Sequence, residues 1–138
     1  MGTDITASIE YGRKKHDYWR HFAVLGRMSR NYRIFSAMAG VRSEVGLQPE
    51  VPLRGFPSDA TFRTEEAWPR KDNEGNRLPD WTCHSPGWLW TDEFEEAVNR
   101  GGSFAMGWID EDYAAALAAM KSLESSGYIA RIIFWFGD

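Results

Sequence analysis

The segment YIARIIFWF, residues 128–136, constrains the fold of this chain more than any other feature of the sequence. Apolar side chains occupy nearly every position on both of its alternating faces. A β-strand places successive side chains on opposite faces of its sheet, so this strand needs a cover on both faces. We therefore expect it at the centre of a sheet, with a partner strand on each edge.

The beginning of the chain supplies one such partner. The segment TDITASIEY, residues 3–11, alternates between apolar and polar side chains, which is typical of a half-buried strand. The segment DYWRHFAVL, residues 17–25, follows after a short turn, so the two predict a hairpin. We expect this hairpin and the C-terminal strand to be neighbours in one mixed sheet.

Three helices are predicted between these strands. They cover residues 31–39, 92–100 and 111–125. Ser29 is expected to cap the start of the first helix, and Thr91 the start of the second. Gly40 is expected to end the first helix. The segment SFAMGWI, residues 103–109, is predicted to be a short strand.

Residues 41–90 show no clear periodicity and predict a long binding loop or lid. Every proline of the chain lies in this segment, at positions 49, 52, 57, 69, 79 and 86. Long loops in compact domains are usually functional or disordered, and the aromatic residues of this one argue against disorder. The predicted architecture is therefore α+β, with a single domain over residues 1–138 and three helices beside the sheet.

The charge of the chain is distributed unevenly. Residues 13–42 contain eight Lys or Arg and one acid, whereas residues 79–138 contain three Lys or Arg and ten acids. Either the two parts pair across the folded surface, or the first part contains an anion site. General nucleic-acid binding is not expected, because the whole chain has a net charge of −4 and contains no recognised nucleic-acid module.

The single cysteine, Cys83, excludes a disulfide framework within the chain and indicates a reducing, cytoplasmic setting. No apolar run approaches the roughly 20 residues of a membrane span, so no membrane partner is expected. A metal site would require Asp4, Cys83 and His84 to converge on folding, and we predict neither a metal nor a cofactor.

Two catalytic arrangements are weaker alternatives. One is a hydrolase that uses Ser85 or Cys83 as its nucleophile, although the chain contains no Gly-x-Ser-x-Gly elbow. Sequence neighbours such as Cys83 and His84 also rarely face each other in a useful geometry. The other is an acid/base pair of Asp4 and His84. We therefore assign no catalytic residue and do not favour an enzyme.

Arginine and aromatic side chains suggest a site for a small anionic, nucleotide-like ligand. Arg30 and Asn31 are expected in the first turn of a helix, where free N–H groups bind anions. Guanidinium groups bind phosphate through two hydrogen bonds, and aromatic rings stack on bases. The predicted site comprises Asp4, Arg30, Asn31, Arg42, Arg54, Phe56, Trp81, His84 and Trp88. In the alternative, the arginines anchor the long loop and the tryptophans belong to the core.

Several fragments also resemble, in order, a family of small proteins from tailed phages and from bacterial genomes that carry phage genes. The fragments are MGTDI, RNYRIFSAMAGVR, RGFPSD, HSPGWLWT and RIIFWF, followed by GD. Members typically begin Met-Gly-x-Asp-Ile-His and carry Arg-Gly-[Leu/Phe]-Pro and His-Ser-x-[Ser/Gly]-Trp-Leu. The resemblance covers nearly the whole chain. Thr6 stands where the family has histidine, which leaves open whether a catalytic or metal role of that histidine exists here.

The resemblance implies a phage context. Small phage proteins without a catalytic motif often counter host defences, several of which signal through cyclic nucleotides or ADP-ribose derivatives. The predicted function is therefore a counter-defence protein that sequesters such a signal in the host cytoplasm. The alternatives are a hydrolase or lyase that cleaves the signal, and an inhibitor that binds a host defence protein directly. A second copy of the chain is a further candidate partner.

Overall fold

Four strands and four helices form the part of the chain that the structure, a computed structural model, describes: residues 2–13, 18–68, 74, 83–102 and 110–138. The strands are β1 (Asp4–Gly12), β2 (Arg20–Leu25), β3 (His84–Trp90) and β4 (Ile129–Gly137). The helices are α1 (Tyr32–Ala39), α2 (Phe62–Ala67), α3 (Thr91–Gly101) and α4 (Glu111–Ser125), with a 3-10 turn at Ser43–Val45. The α+β class predicted from the sequence is confirmed.

The strands form one sheet in the order β2-β1-β4-β3. Strand β4 lies between β1 and β3, and its residues 130–136 are all buried, as its two apolar faces predict. The pairing of the N- and C-terminal strands is also confirmed, with Ile9 opposite Ile132. Each described pair is antiparallel, where a mixed sheet was expected. The chain segment containing α3 and α4 leaves the end of β3 and returns to the start of β4 at the same end of the sheet, where Trp90 lies opposite Arg131.

Helices α1, α3 and α4 cover one face of the sheet. Residues Ile5, Ala7 and Ile9 of β1 form the main core with Ile132, Phe134 and Phe136 of β4 and with the apolar faces of the helices. Helices α1 and α3 approach closely at Gly101, where a Cβ atom would lie 2.6 Å from the Cα atom of Ile34. Only glycine allows this approach, so Gly101 fixes the distance between the two helices.

The segment from Arg54 to Trp68 covers the other face of the sheet. Its Trp68 packs with Ile133 and Trp135 of β4 in a second apolar cluster. The predicted loop over residues 41–90 is therefore partly regular, since it contains α2 and the edge strand β3. Pro86 lies on this edge strand, where a missing backbone donor is tolerated.

A buried ion pair lies under this cover. Glu10 and Arg131 are opposite each other in the β1–β4 register, with exposed fractions of 0% and 3%. Nε and Nη2 of Arg131 donate to Oε1 of Glu10 at 3.0 and 2.7 Å. Oε2 of Glu10 accepts from the backbone N–H of Thr61 at 2.8 Å and from Oγ1 of Thr64 at 2.7 Å. The pair thus binds the covering segment to the centre of the sheet.

The boundaries of α1, α3 and α4 agree with prediction to within about one residue, but two of their caps differ. Gly40 ends α1 as expected, with a φ of 71°. The cap of α1 is Asn31, whose side chain accepts from the N–H of Ile34 at 3.1 Å, and not Ser29. Ser29 lies too early in the chain and donates instead to Asp112. Thr91 is the first residue inside α3 and does not cap it.

The predicted strand at residues 103–109 lies outside the described residues. Among the helices that the structure does describe, each is too short or too polar to cross a membrane.

Candidate functional site

Four of the nine predicted site residues lie at the end of the sheet where β1 begins and β4 ends. Asp4 and His84 are the first residues of β1 and β3, and Arg30 and Arg42 flank helix α1. We define the sheet-end cluster as Thr3, Asp4, Arg30, Arg42, His84, Ser85 and Asp138. These residues are linked by two sets of contacts, one around Asp4 and one around Asp138.

Arg30 and Asp4 form a two-point ion pair. Nε and Nη2 of Arg30 donate to Oδ1 and Oδ2 of Asp4 at 2.8 and 3.3 Å. The hydrogen bond from Arg30 lowers the pKa of Asp4, and Arg27, 3.8 Å away, acts in the same direction. The Arg30 side chain is 51% exposed and lies over Gly2. Asp4 therefore orients a guanidinium group that remains accessible to solvent.

Arg42 is held by Thr3 and Tyr32. Its Nε donates to Oγ1 of Thr3 at 2.9 Å, and its guanidinium carbon lies 4.9 Å from the centre of the Tyr32 ring. Oγ1 of Thr3 in turn donates to Oδ1 of Asp138 at 2.7 Å. The buried Thr3 hydroxyl thus connects a cation of the α1 segment to a carboxylate that follows β4.

His84 lies between Asp138 and its own neighbour, Ser85. Its Nε2 is 3.1 Å from Oδ2 of Asp138, and its Nδ1 is 3.0 Å from Oγ of Ser85. The hydrogen bond from Thr3 lowers the pKa of Asp138 against the effect of burial, and His84 adds to this lowering. A serine, an imidazole and a carboxylate are therefore joined in one hydrogen-bonded chain.

Arg54 makes its contacts with the corner between β3 and α3. Nη1 and Nη2 donate to the carboxylate of Glu93 at 2.6 and 2.8 Å, and Nη1 also donates to the carbonyl of Trp88 at 3.0 Å. The guanidinium carbon lies 4.3 Å from the centre of the Trp88 ring. The hydrogen bond from Arg54 lowers the pKa of Glu93 despite partial burial. These contacts favour the loop-anchor alternative for Arg54.

The remaining predicted residues pack within the fold or lie outside the described part of the chain. Phe56 stacks on Trp68 at a centroid distance of 5.3 Å, and Trp88 meets Trp90 edge to face at 4.9 Å. Asn31 caps α1 and donates from Nδ2 to Asp110 at 2.7 Å. Asp110, the N-cap of α4, and Asp112 in its first turn thus already contact the residues at the start of α1. Trp81 is not among the described residues.

An open groove of about 670 Å³ lies elsewhere, between α3, α4 and the start of β4. It is lined by Trp90, Thr91, Asp92, Glu95, Lys121, Glu124, Ser125, Ile129 and Ala130. None of the predicted site residues lines it. Three carboxylates and one lysine, which pairs with Glu95, give the groove an acidic lining that does not suit an anion.

The geometry does not support the metal and cysteine alternatives. Within the residues that the structure describes, no three His, Cys, Asp or Glu side chains are grouped to hold a metal ion. Burial raises the pKa of the Cys83 thiol, which makes it a poor nucleophile or thiolate ligand at neutral pH.

Sequence reasoning missed Thr3, Asp138 and Glu93. The first two could have been found by extending the predicted pairing of the terminal strands, since Asp4 lies opposite Gly137. No local signal identifies Glu93 as the partner of Arg54, because 39 residues separate them.

Comparison of this chain with protein-family models, with curated proteins and with solved structures finds no match.

Proposed function

We propose that this protein captures a small anionic, nucleotide-derived molecule at the sheet-end cluster and acts as a phage-type counter-defence protein. The observation that supports this proposal is the convergence of Asp4, Arg30, Arg42 and His84 at one end of the sheet. The sequence predicts all four as ligand-binding residues, and they come from three separate parts of the chain. A signal of this kind is made in the cytoplasm of the host cell, so the proposed site of action is there.

The cluster and two residues beside it, Arg27 and Tyr32, contain the groups that a phosphate-bearing ligand requires. Arg30 presents a half-exposed guanidinium group, and Arg27 lies beside it with an exposed fraction of 83%. A guanidinium group can donate two parallel hydrogen bonds to one phosphate. Tyr32 and His84 supply flat rings, and both are held by neighbouring side chains. Phosphate and base recognition could therefore occur within one surface.

The acids of the cluster determine the strength of binding. Asp4 already satisfies two donors of Arg30, so a ligand phosphate must share this guanidinium group with a carboxylate. Because Arg30 is half exposed, added salt should screen its attraction to the ligand. We therefore expect moderate affinity that falls as the ionic strength rises.

Calorimetric titration of the protein with a cyclic dinucleotide and with ADP-ribose tests the proposal. Arg30→Ala should weaken binding by roughly tenfold, because a hydrogen-bonded charge is lost. Arg30→Lys should also weaken it, since lysine retains the charge but not the planar fork. Arg63→Ala removes an exposed arginine of α2 and is the matched control, which should bind like the parent.

Asp4→Asn provides an independent test, because it releases Arg30 from its internal partner and should tighten binding. Failure of both nucleotides to bind, or binding that is the same in Arg30→Ala and Arg63→Ala, would overturn the proposal. Native mass spectrometry of the protein recovered from cells with an active nucleotide signal should show the added mass of a nucleotide-derived molecule.

A further inference from the structure

Ser85, His84 and Asp138 are arranged as a nucleophile, a base and a positioning carboxylate. Asp138 is fixed, because one of its oxygens accepts from Thr3 while the other lies 3.1 Å from Nε2 of His84. A carboxylate at Nε2 favours the tautomer with the proton on that nitrogen. The lone pair of the imidazole is then on Nδ1, which lies 3.0 Å from the Ser85 hydroxyl.

A bulge in β3 makes this arrangement of two sequence neighbours achievable. In a regular strand, His84 and Ser85 would point to opposite faces of the sheet. The β3–β4 register shifts between His84 and Gly87, and Ser85 has a φ of 53°, in the left-handed region. This conformation is strained for a residue other than glycine. Bulges redirect side chains, and such backbone conformations concentrate at functional sites.

We propose that Ser85 is a nucleophile, with His84 as its general base and Asp138 as the positioning residue, and that it cleaves a phosphodiester bond in the captured molecule. The choice of a phosphodiester rests on the function proposed above, whereas the nucleophilic character of Ser85 does not. Arg42, which shares the Thr3 hydroxyl with Asp138, adds positive charge beside this positioning carboxylate.

The reaction requires only water as a second reactant. Oγ of Ser85 attacks phosphorus and forms an O–P bond, while its proton passes to Nδ1 of His84. The bond from phosphorus to the leaving alcohol oxygen breaks, and His84 returns the proton to that oxygen. Water then attacks phosphorus, gives a proton to His84 and displaces Ser85, which takes that proton back. The net products are a phosphomonoester and an alcohol.

A fluorophosphonate probe tests the nucleophile without requiring the natural ligand. Ser85 should displace fluoride and gain the phosphonyl mass, which peptide mass spectrometry can locate. Ser85→Ala and Ser85→Gly should both abolish the adduct. Glycine adopts the positive φ at this position without strain, so Ser85→Gly should remain folded even if Ser85→Ala does not. His84→Ala should slow labelling by about 100-fold or more. Ser58→Ala, at an exposed serine, should label like the parent.

The role of Asp138 is tested by the tautomer of His84. In Asp138→Ala the imidazole loses the carboxylate that lies 3.1 Å from Nε2 and favours a proton on that nitrogen. The nitrogen-15 chemical shifts of the His84 ring should therefore show less of that tautomer than in the parent, which a purely structural role would not produce. An unchanged tautomer would overturn the positioning role.

Calorimetry with the cyclic dinucleotide separates this inference from the proposed function. Ser85→Ala should bind the dinucleotide and return it intact after denaturation, whereas the parent should return the opened product. A parent that binds the dinucleotide but returns it intact, and whose Ser85 takes no probe, would overturn the inference and leave capture standing. A parent that labels at Ser85 but binds no nucleotide would overturn capture and, with it, the phosphodiester substrate.

Discussion

Removal of the charge on Glu10 should be among the most destabilising single changes in this protein. Glu10→Gln retains the shape of the side chain but leaves Arg131 charged at an exposed fraction of 3%. The carboxylate that would remain beside Arg131 belongs to Asp59, whose side chain is 60% exposed. Loss of one partner of a buried pair costs about 3–5 kcal/mol, because the remaining charge loses its main compensation in a medium of low polarity.

Urea denaturation provides the measurement. Small domains unfold with a slope of about 1–3 kcal/mol per molar urea, so the midpoint should fall by roughly 2 M. Glu95→Gln disrupts the exposed pair of Glu95 with Lys121 and should change stability by less than about 1 kcal/mol. The double variant Glu10→Leu with Arg131→Met should lose less than Glu10→Gln alone, because it leaves no buried charge unpaired. Equal midpoints for Glu10→Gln and Glu95→Gln would refute this reasoning.

Two further predictions concern the contacts that hold the helices. Arg54 lowers the pKa of Glu93 in the folded protein, so their pairing stabilises the fold fully at a pH above the pKa that Glu93 has in the unfolded chain. This stabilisation is lost as the pH falls through the pKa of Glu93 in the folded protein. Glu93→Gln should therefore flatten the acid side of a plot of melting temperature against pH. Tyr113→Phe should cost about 1 kcal/mol in thermal unfolding, because the Tyr113 hydroxyl donates to the carbonyl of Ser29 at 2.7 Å, and an unchanged stability would contradict this contribution.

The sequence predicts the central strands well because their signal is local. The alternation in β1 and the two apolar faces of β4 are visible within nine residues. The alternation predicts a half-buried β1, and this is wrong, because Ser8 and Glu10 on its polar face are also buried beneath the covering segment. Strand β3 has no such pattern, since HSPGWLW contains a proline, a glycine and a bulge. Helix α2 spans only six residues, too few for a clear helical period.

The candidate site is harder to predict, because the sequence does not show which carboxylate will pair with a given arginine after folding. The sequence predicts Arg30 and Arg54 alike as arginines that bind an anionic ligand. In the structure, Arg30 pairs with Asp4 at the surface, whereas Arg54 pairs with Glu93 beside Trp88. The role proposed for Ser85 depends on a backbone conformation, a φ of 53°, that its neighbours in sequence do not specify. Charge and residue type therefore limit the chemistry, whereas tertiary contacts decide which residues remain available for it.

The adjacency of β1 and β4 has a consequence for the timing of folding. During synthesis, β1 leaves the ribosome long before β4 exists, and Glu10 and Arg131 are separated by 121 positions. Closing a loop of this length costs roughly 4 kcal/mol of chain entropy before the contacts of the sheet can form. Until then, the inner edge of the β1–β2 hairpin has unpaired backbone groups, which can pair with another nascent chain. Slow translation of the middle of the chain would prolong this exposure.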